Sequence, residues 1–215
     1  MTPSIRSLIA AATLALLAGS AAAQADTGSL AGWAVLGDAV AQNGALVLTT
    51  AYAVPGDPDQ PFNLSGNSAA DIALVEAAAG VAAYALDLPE PEYGREGSVV
   101  AQSFAVAAGD TLRFSWSFGT LEDQFQDHAF VVIDGQVVTL ATAGAPGLAT
   151  QTFEYGFATA GTATLALGVI DTGDVLGVST LSVSSLSVTA VPEPATLALW
   201  LAGLGLVGVA ARRRR

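Results

Sequence analysis

Carboxylates are the side chains of this 215-residue sequence with the greatest capacity for chemistry. The densest acidic segment carries Glu122, Asp123 and Asp127, with glutamines between them. Calcium is a hard cation that takes about six to eight oxygen ligands, and this segment offers several of them close together. Two further acid pairs lie in predicted turns: Asp57 with Asp59, and Asp171 with Asp174. The sequence therefore predicts weak Ca²⁺ binding by Glu122, Asp123 and Asp127, with a solvated acidic loop as the alternative.

Other catalytic side chains are scarce. The sequence has one histidine, His128, and no cysteine. No G-x-S-x-G nucleophile motif is present, and we expect His128 at the surface or at a strand edge. A carboxylate pair can hydrolyse a glycoside only at a suitable separation, which a sequence does not reveal. We therefore predict no catalytic residue, no organic cofactor and no enzymatic activity, and keep a secreted carboxylate-dependent hydrolase as a third alternative.

The charge distribution excludes a nucleic-acid partner. The net charge is −12, and all seven basic residues are arginines. Within residues 26–190, Arg95 and Arg113 are the only basic residues, whereas all 19 acids except Glu193 lie there. Such a surface repels phosphates. It suits a solvated extracellular protein, and the lack of cysteine rules out a disulfide framework.

The first 25 residues have the pattern of a secretory signal peptide. Arg6 supplies the positive start, and residues 8–18 form a short apolar run. Ala23 and Ala25 make an A-x-A cleavage signal, which places the mature start at Asp26. We therefore expect residues 26–190 to be exported as an ectodomain.

The C-terminus combines three features in order. Val191, Pro192, Glu193 and Pro194 precede an uncharged apolar run at residues 195–211. Four arginines then end the chain: Arg212, Arg213, Arg214 and Arg215. As a helix the apolar run would be about 25 Å long, and snorkelling arginines can make up the difference to a ~30 Å hydrocarbon core. The arginines hold their end in the cytoplasm, so we predict a transmembrane helix that leaves the ectodomain outside.

These residues resemble the PEP-CTERM sorting signal of Gram-negative bacteria, which joins a Val-Pro-Glu-Pro motif, a hydrophobic helix and an Arg-rich tail. The resemblance covers residues 191–215. It implies a precursor anchored in the inner membrane and recognised by exosortase, a membrane-embedded protease that cuts near the motif. It also implies delivery of the ectodomain to the cell surface or the exopolysaccharide matrix.

The ectodomain reads as mainly β with one short helix. Short apolar runs alternate with turn signals, among them Asn43-Gly44 between runs 32–36 and 45–50, and Asp134-Gly135 between runs 129–133 and 136–140. Residues 69–79 have helical spacing, with Ser68 as the predicted cap and Gly80 as the end. About eight to ten strands with short connections predict an antiparallel, jelly-roll-like β-sandwich.

One strand is predicted with particular clarity. Leu112, Phe114, Trp116 and Phe118 alternate with polar residues, so these four should face the core. Residues 102–118 and 129–135 resemble ectodomains commonly attached to this sorting signal, and that resemblance carries no activity with it.

Taken together, the sequence predicts a non-enzymatic surface or matrix protein with a structural or adhesive role in exopolysaccharide or biofilm. The alternative is a carbohydrate-binding module for exopolysaccharide, because exposed aromatic rings such as Tyr93 can stack on sugars.

Overall fold

The aromatic strand lies in the middle of the core, as predicted. A computed structural model describes residues 27–89, 93–144, 149–190, 201–204, 206, 212 and 213. In it Leu112 and Phe114 are fully buried, and Trp116 and Phe118 are 7% and 5% exposed. The side chains between them point to the other face of the strand and are partly or fully exposed.

Eleven strands and one α-helix make up the described body of the chain. In chain order they are β1 (Ala34–Leu36), β2 (Asp38–Gln42), β3 (Ala45–Thr49), β4 (Ala70–Asp71), α1 (Ile72–Ala79), β5 (Gly94–Val106), β6 (Thr111–Thr120), β7 (His128–Ile133), β8 (Gln136–Thr142), β9 (Gln151–Gly156), β10 (Gly161–Thr172) and β11 (Ser179–Thr189). A short 3-10 helix spans Gln60–Phe62.

The strands form two antiparallel sheets that pack face to face. The first sheet has the order β1-β5-β10-β7-β8, with β4 also paired to β5, and the second has the order β2-β3-β11-β6-β9. From β3 onward most connections cross from one sheet to the other. The predicted mainly β sandwich with one short helix is therefore confirmed.

The core has two layers. The larger cluster fills the space between the sheets and includes Val100, Phe114 and Val169. A smaller cluster lies on the outer face of the first sheet, where Val75 of α1 packs with Phe130 and Ile170. Strands β7 and β10 are consequently buried on both faces, and Gly168 in β10 is required there, since a Cβ at this position would overlap the Phe130 ring.

Helix α1 is shorter than predicted and has a different cap. It starts at Ile72, and Asp71 Oδ1 accepts a hydrogen bond from the Ala73 amide at 2.9 Å. The predicted cap, Ser68, instead accepts a hydrogen bond from the Ala53 amide at 2.9 Å. The predicted end is confirmed, because Gly80 adopts the left-handed conformation with φ 74°.

The first hairpin uses a different strand from the one predicted. Asn43 and Gly44 do form its turn, both with positive φ, but the strand before the turn is β2 rather than residues 32–36. Within residues 32–36, β1 pairs instead with β5 in the other sheet. Gly37, with φ 86°, separates β1 from β2 and redirects the chain between the sheets.

The signal peptide, the Val191–Pro194 motif and most of the predicted transmembrane helix lie outside the described residues. Residues 201–204, 206 and 212 are helical. Across the described part of the chain, no helix is both long enough and apolar enough to cross a membrane.

Candidate functional site

Glu96, Asp127 and Asp171 lie buried at one end of the sandwich, where Asp38 and Asp59 are also buried. The exposed fractions of the first three are 3%, 0% and 1%. Glu96 in β5 is the register partner of Asp171 in β10, and Asp127 directly precedes β7. Strand alternation places Glu96 on the same face as Val100 and Asp171 on the same face as Val169, so both point between the sheets. We call Glu96, Asp127 and Asp171 the acidic end cluster.

Asp127 ties three strand ends together. Its Oδ1 accepts a hydrogen bond from the Thr172 amide at 2.9 Å, and its Oδ2 accepts one from Ser179 Oγ at 2.7 Å. Ser179 Oγ also lies 2.7 Å from Thr120 Oγ1. The Asp127 carboxyl thus joins the end of β10 to the start of β11, and through Ser179 to the end of β6.

Glu96 and Asp171 are less well satisfied. Glu96 Oε2 accepts a hydrogen bond from the Tyr52 hydroxyl, whereas Glu96 Oε1 and Asp171 Oδ1 are buried without a hydrogen-bond partner. A buried polar atom without a partner is costly, and such atoms are rare in native proteins. The two unpartnered oxygens belong to directly opposed residues, so the cost is concentrated at one point of the sheet.

Burial raises the pKa of every member of the acidic end cluster. Desolvation raises the pKa of Asp171 to about 10, and the charges of Asp127 and Glu96 add to this rise. Desolvation also raises the pKa of Glu96 to about 7, against the lowering effect of the Tyr52 hydrogen bond. The pKa of Asp127 rises to about 7 for the same main reason, although Ser179 and Thr172 hydrogen-bond to its charged form.

Further acids surround the cluster on loops. Asp57, Asp59, Glu122 and Asp174 lie close enough for their charges to raise the pKa of one or more cluster members. Burial and the neighbouring Asp57 also raise the pKa of Asp59, whose carboxyl is hydrogen-bonded by the Gly177 backbone. This end of the sandwich is therefore strongly negative whenever its loops are ionised.

The structure does not join the predicted calcium ligands into one group. Asp123 is exposed, and Glu122 Oε1 accepts hydrogen bonds from the Gln124 and Phe125 amides of its own loop. Asp127 turns inward to Thr172 and Ser179. In residues 27–89, 93–144 and the other described parts, no three acids or histidines form a group that could hold a metal ion. Calcium binding by Glu122, Asp123 and Asp127 stays a prediction.

His128 is in the core rather than at the surface, which corrects the prediction. It is 2% exposed, and desolvation lowers its pKa to about 4, so it is neutral at pH 7. Its Nδ1 lies 3.4 Å from Thr172 Oγ1, and its ring is also hydrogen-bonded to the backbone of Leu86 and Gln126. The histidine therefore brings no positive charge to the adjacent acids.

Sequence reasoning missed the pairing of Glu96 with Asp171. It noted Asp171 only as a turn acid beside Asp174, and it gave Glu96 no role. The local sequence carries no strand signal here, because Arg95, Glu96 and Ser98 are all polar and Gly97 has no side chain, so apolar and polar residues do not alternate. Only the β5–β10 register shows that this acid faces Asp171.

A cleft of about 580 Å³ lies on the outer face of the first sheet, beside the end of α1. Small side chains line most of it, including Ala34 and Ala79, together with the polar residues Gln102 and Asp134. No lining residue of this cleft is aromatic among those the structure describes. Trp33 and Trp116 are core residues.

Residues 190–215 match the family model of the PEP-CTERM protein-sorting motif. This finding confirms the predicted sorting signal, and it covers only the end of the chain. No curated protein matches the chain by sequence.

Two solved structures are similar to the chain at low sequence identity and low TM-score. One is TmCBM61 in complex with beta-1,4-galactotriose, at 14% identity and a TM-score of 0.36, covering 77% of this chain and 92% of that chain. The other is described as "CBM4 structure and function", at 12% identity and a TM-score of 0.37, covering 74% of this chain and 95% of that one.

Proposed function

Because the chain ends in a PEP-CTERM protein-sorting motif, we propose that it is an exported protein processed by exosortase and delivered to the cell surface or extracellular matrix. The match over residues 190–215 is the observation that carries this proposal. The ectodomain then has a non-enzymatic structural or adhesive role in exopolysaccharide or biofilm.

The boundary between sandwich and motif supports this order of events. Strand β11 ends at Thr189, which is exposed, and the Val-Pro-Glu-Pro motif begins two residues later. A cut near Pro192 therefore leaves every strand of the sandwich intact. Prolines at 192 and 194 keep this segment out of a helix interior, which favours the extended shape that a protease binds.

The burial of the carboxylates supports a non-enzymatic role. Glu96 and Asp171 are the acids brought face to face, but neither is more than 3% exposed. A polysaccharide substrate would have to reach carboxyl groups that are closed off between the sheets. The arrangement favours an internal role for the pair over hydrolysis of an external polymer.

Carbohydrate binding is a second candidate function, and one exposed ring favours it. Tyr84 is 80% exposed and has a φ of 67°, an uncommon conformation for a tyrosine. An aromatic ring exposed in this way can stack on a sugar ring.

If a sugar of the exopolysaccharide stacks on the Tyr84 ring, Tyr84→Ala should lower binding of purified exopolysaccharide at least tenfold, while Tyr155→Phe should leave it unchanged. Equal binding by wild type and Tyr84→Ala in a pull-down titration would remove this candidate.

Replacing Pro192, Glu193 and Pro194 together by alanine is expected to block processing and leave membrane insertion intact. The apolar run and the arginines that direct insertion are unchanged, whereas the extended motif is lost. Mass spectrometry of the C-terminus of the surface-exposed protein measures processing, and protease protection of the tail measures topology. Thr189→Ala, an exposed change just before the motif, is the matched control and should be processed normally.

Replacing Arg212–Arg215 by alanine should instead disturb the topology of the chain in the membrane or its retention there, because the positive tail fixes the orientation of the apolar segment. The proposal would be wrong if matrix-located protein from a cell with exosortase kept an intact C-terminus ending at Arg215.

A further inference from the structure

When the facing carboxyl groups of Glu96 and Asp171 are ionised, they need a positive partner, and no side chain of the described residues supplies one. One oxygen of each group, Glu96 Oε1 and Asp171 Oδ1, has no hydrogen-bond partner. Glu96 is only 3% exposed and Asp171 only 1% exposed. Both side chains point between the sheets from paired strands. Two carboxylates in this position repel each other and lack the water that would hydrate them.

The basic residues of the described ectodomain lie elsewhere. Arg95 is exposed and alternates to the opposite face of β5 from Glu96. Arg113 pairs with Glu154 at 2.9 Å on the outer face of the second sheet. His128 is neutral at pH 7. Compensation must therefore come from bound protons or from a cation taken up from solution.

We propose that Glu96 and Asp171 bind a calcium ion at this end of the sandwich. A site whose available ligands are all oxygen atoms suits calcium, because calcium accepts carboxylates, backbone carbonyls and water in flexible geometry. Magnesium requires a stricter octahedral arrangement, and zinc or copper sites draw on His or Cys ligands, which this pair does not offer. Since two acid side chains form the core of the site, backbone carbonyls and water complete the coordination.

The surrounding charges favour entry of the ion. Asp57, Asp59, Glu122 and Asp174 ring the same end of the sandwich and interact electrostatically with the acidic end cluster. An acidic rim around a buried site raises the local cation concentration. Asp127 already accepts hydrogen bonds from Thr172 and Ser179, so it holds the strand ends in place beside the site rather than serving as a free ligand.

This inference does not depend on the proposed sorting function. Calcium binding is a property of the ectodomain, whereas exosortase processing is a property of residues 190–215. Export does place the site where calcium is abundant, and extracellular calcium sites typically have a Kd of about 10⁻⁴–10⁻³ M.

Thermal melts of the full chain in detergent at about pH 8 test the proposal. About 10 mM CaCl₂ should raise the Tm by about 3–10 °C relative to EDTA, and isothermal titration should show binding in the millimolar or submillimolar range. Glu96→Gln and Asp171→Asn should each abolish this rise. Both variants should fold in EDTA, because each replaces a buried carboxyl group by an uncharged amide of similar shape.

Asp110→Asn is the matched control. Asp110 is also buried with an unpartnered oxygen, but it lies just before the start of β6, and the site lies at the other end of that strand. This variant should keep the full calcium response. If Asp171→Asn fails to fold, Glu96→Gln decides the result.

Three outcomes would overturn the proposal. The first is a wild-type Tm that calcium does not change, and the second is an equal response to the same concentration of Mg²⁺. The third is a calcium response that survives in Glu96→Gln and Asp171→Asn but is lost in Glu122→Gln or Asp123→Asn, which would place the ion in the 122–127 loop instead.

Discussion

In EDTA, the free energy of unfolding is expected to fall steeply as the pH rises from about 4 to 8. Glu96 and Asp127 hold their protons up to a pKa of about 7 in the folded chain, whereas ordinary carboxyl groups release them near pH 4. Between these values the folded state binds more protons than the unfolded state, so stability decreases with pH. Asp171, with a pKa of about 10, extends the decline above pH 8.

The expected loss is several kcal/mol, since each tenfold difference in proton affinity between the folded and unfolded chain corresponds to about 1.4 kcal/mol. Urea denaturation of the full chain at about pH 5 and pH 8, both in EDTA, measures it. Desolvation and the neighbouring Asp57 also raise the pKa of Asp59, so Asp59 adds to the same slope. Asp57, Glu122 and Asp174 face the cluster as the acids whose charges raise the pKa of its members.

A double variant, Glu96→Gln with Asp171→Asn, should reduce the loss of stability between pH 5 and pH 8 to the part that Asp127 contributes, and Asp110→Asn should leave the wild-type loss unchanged. Stability that stays constant or increases from pH 5 to pH 8 in the wild-type chain would show that these carboxyl groups are not buried in their protonated form.

Phe114→Ala is expected to destabilise the chain by about 3–5 kcal/mol. Phe114 is fully buried at the centre of the sandwich and stacks on Phe153 of β9, with ring centroids 5.0 Å apart and an interplanar angle of 23°. Its loss leaves a cavity that rigid sheets on both sides fill poorly, and removes the stacked pair as well. Such a change takes up much of the stability of an ordinary domain.

Urea denaturation measures this loss as a lower midpoint at an unchanged m-value. Ser115→Ala is the control, because Ser115 is the next residue of the same strand and faces the other side of the sheet. A change below about 1 kcal/mol for Phe114→Ala, or equal effects of the two variants, would contradict the packing described for β6.

Where side-chain pattern and turn chemistry agree, the sequence predicted the fold well. Strand β6 shows this, since its aromatic and polar residues alternate without interruption and its inward face is the buried one. The Asp134-Gly135 turn is a second example. Both residues have positive φ, as a two-residue hairpin turn of this kind requires, and the strands on either side pair as expected.

Polar and glycine-rich strands were harder to predict. Strand β2 begins with Asp38, which looks like a loop residue, yet it is fully buried because Thr49 Oγ1 and the Ser65 amide donate hydrogen bonds to its carboxyl. The first residues of β5 include Gly94 and Gly97, and a Cβ at Gly97 would overlap the Val169 carbonyl oxygen. Close backbone contact of this kind leaves no apolar pattern in the sequence.

The acidic end cluster could not be assembled from local sequence at all. Its members come from three separate segments, and their meeting depends on the long antiparallel register between β5 and β10. The prediction of an acidic site was drawn to Glu122 and Asp123 because they are close in sequence. Proximity along the chain is a poor guide when long-range strand pairing decides which carboxyl groups share a site.

The position of β11 has a consequence for the timing of secretion. This last strand lies in the middle of the second sheet, between β3 and β6, so without it the β2–β3 and β6–β9 halves of that sheet do not touch. A chain that crosses the membrane from its N-terminus delivers β11 last, directly ahead of the sorting motif. In the export that we propose, completion of the sandwich therefore coincides with arrival of the tail at the bilayer, and a chain stalled earlier leaves the edges of β3 and β6 unpaired in the second sheet.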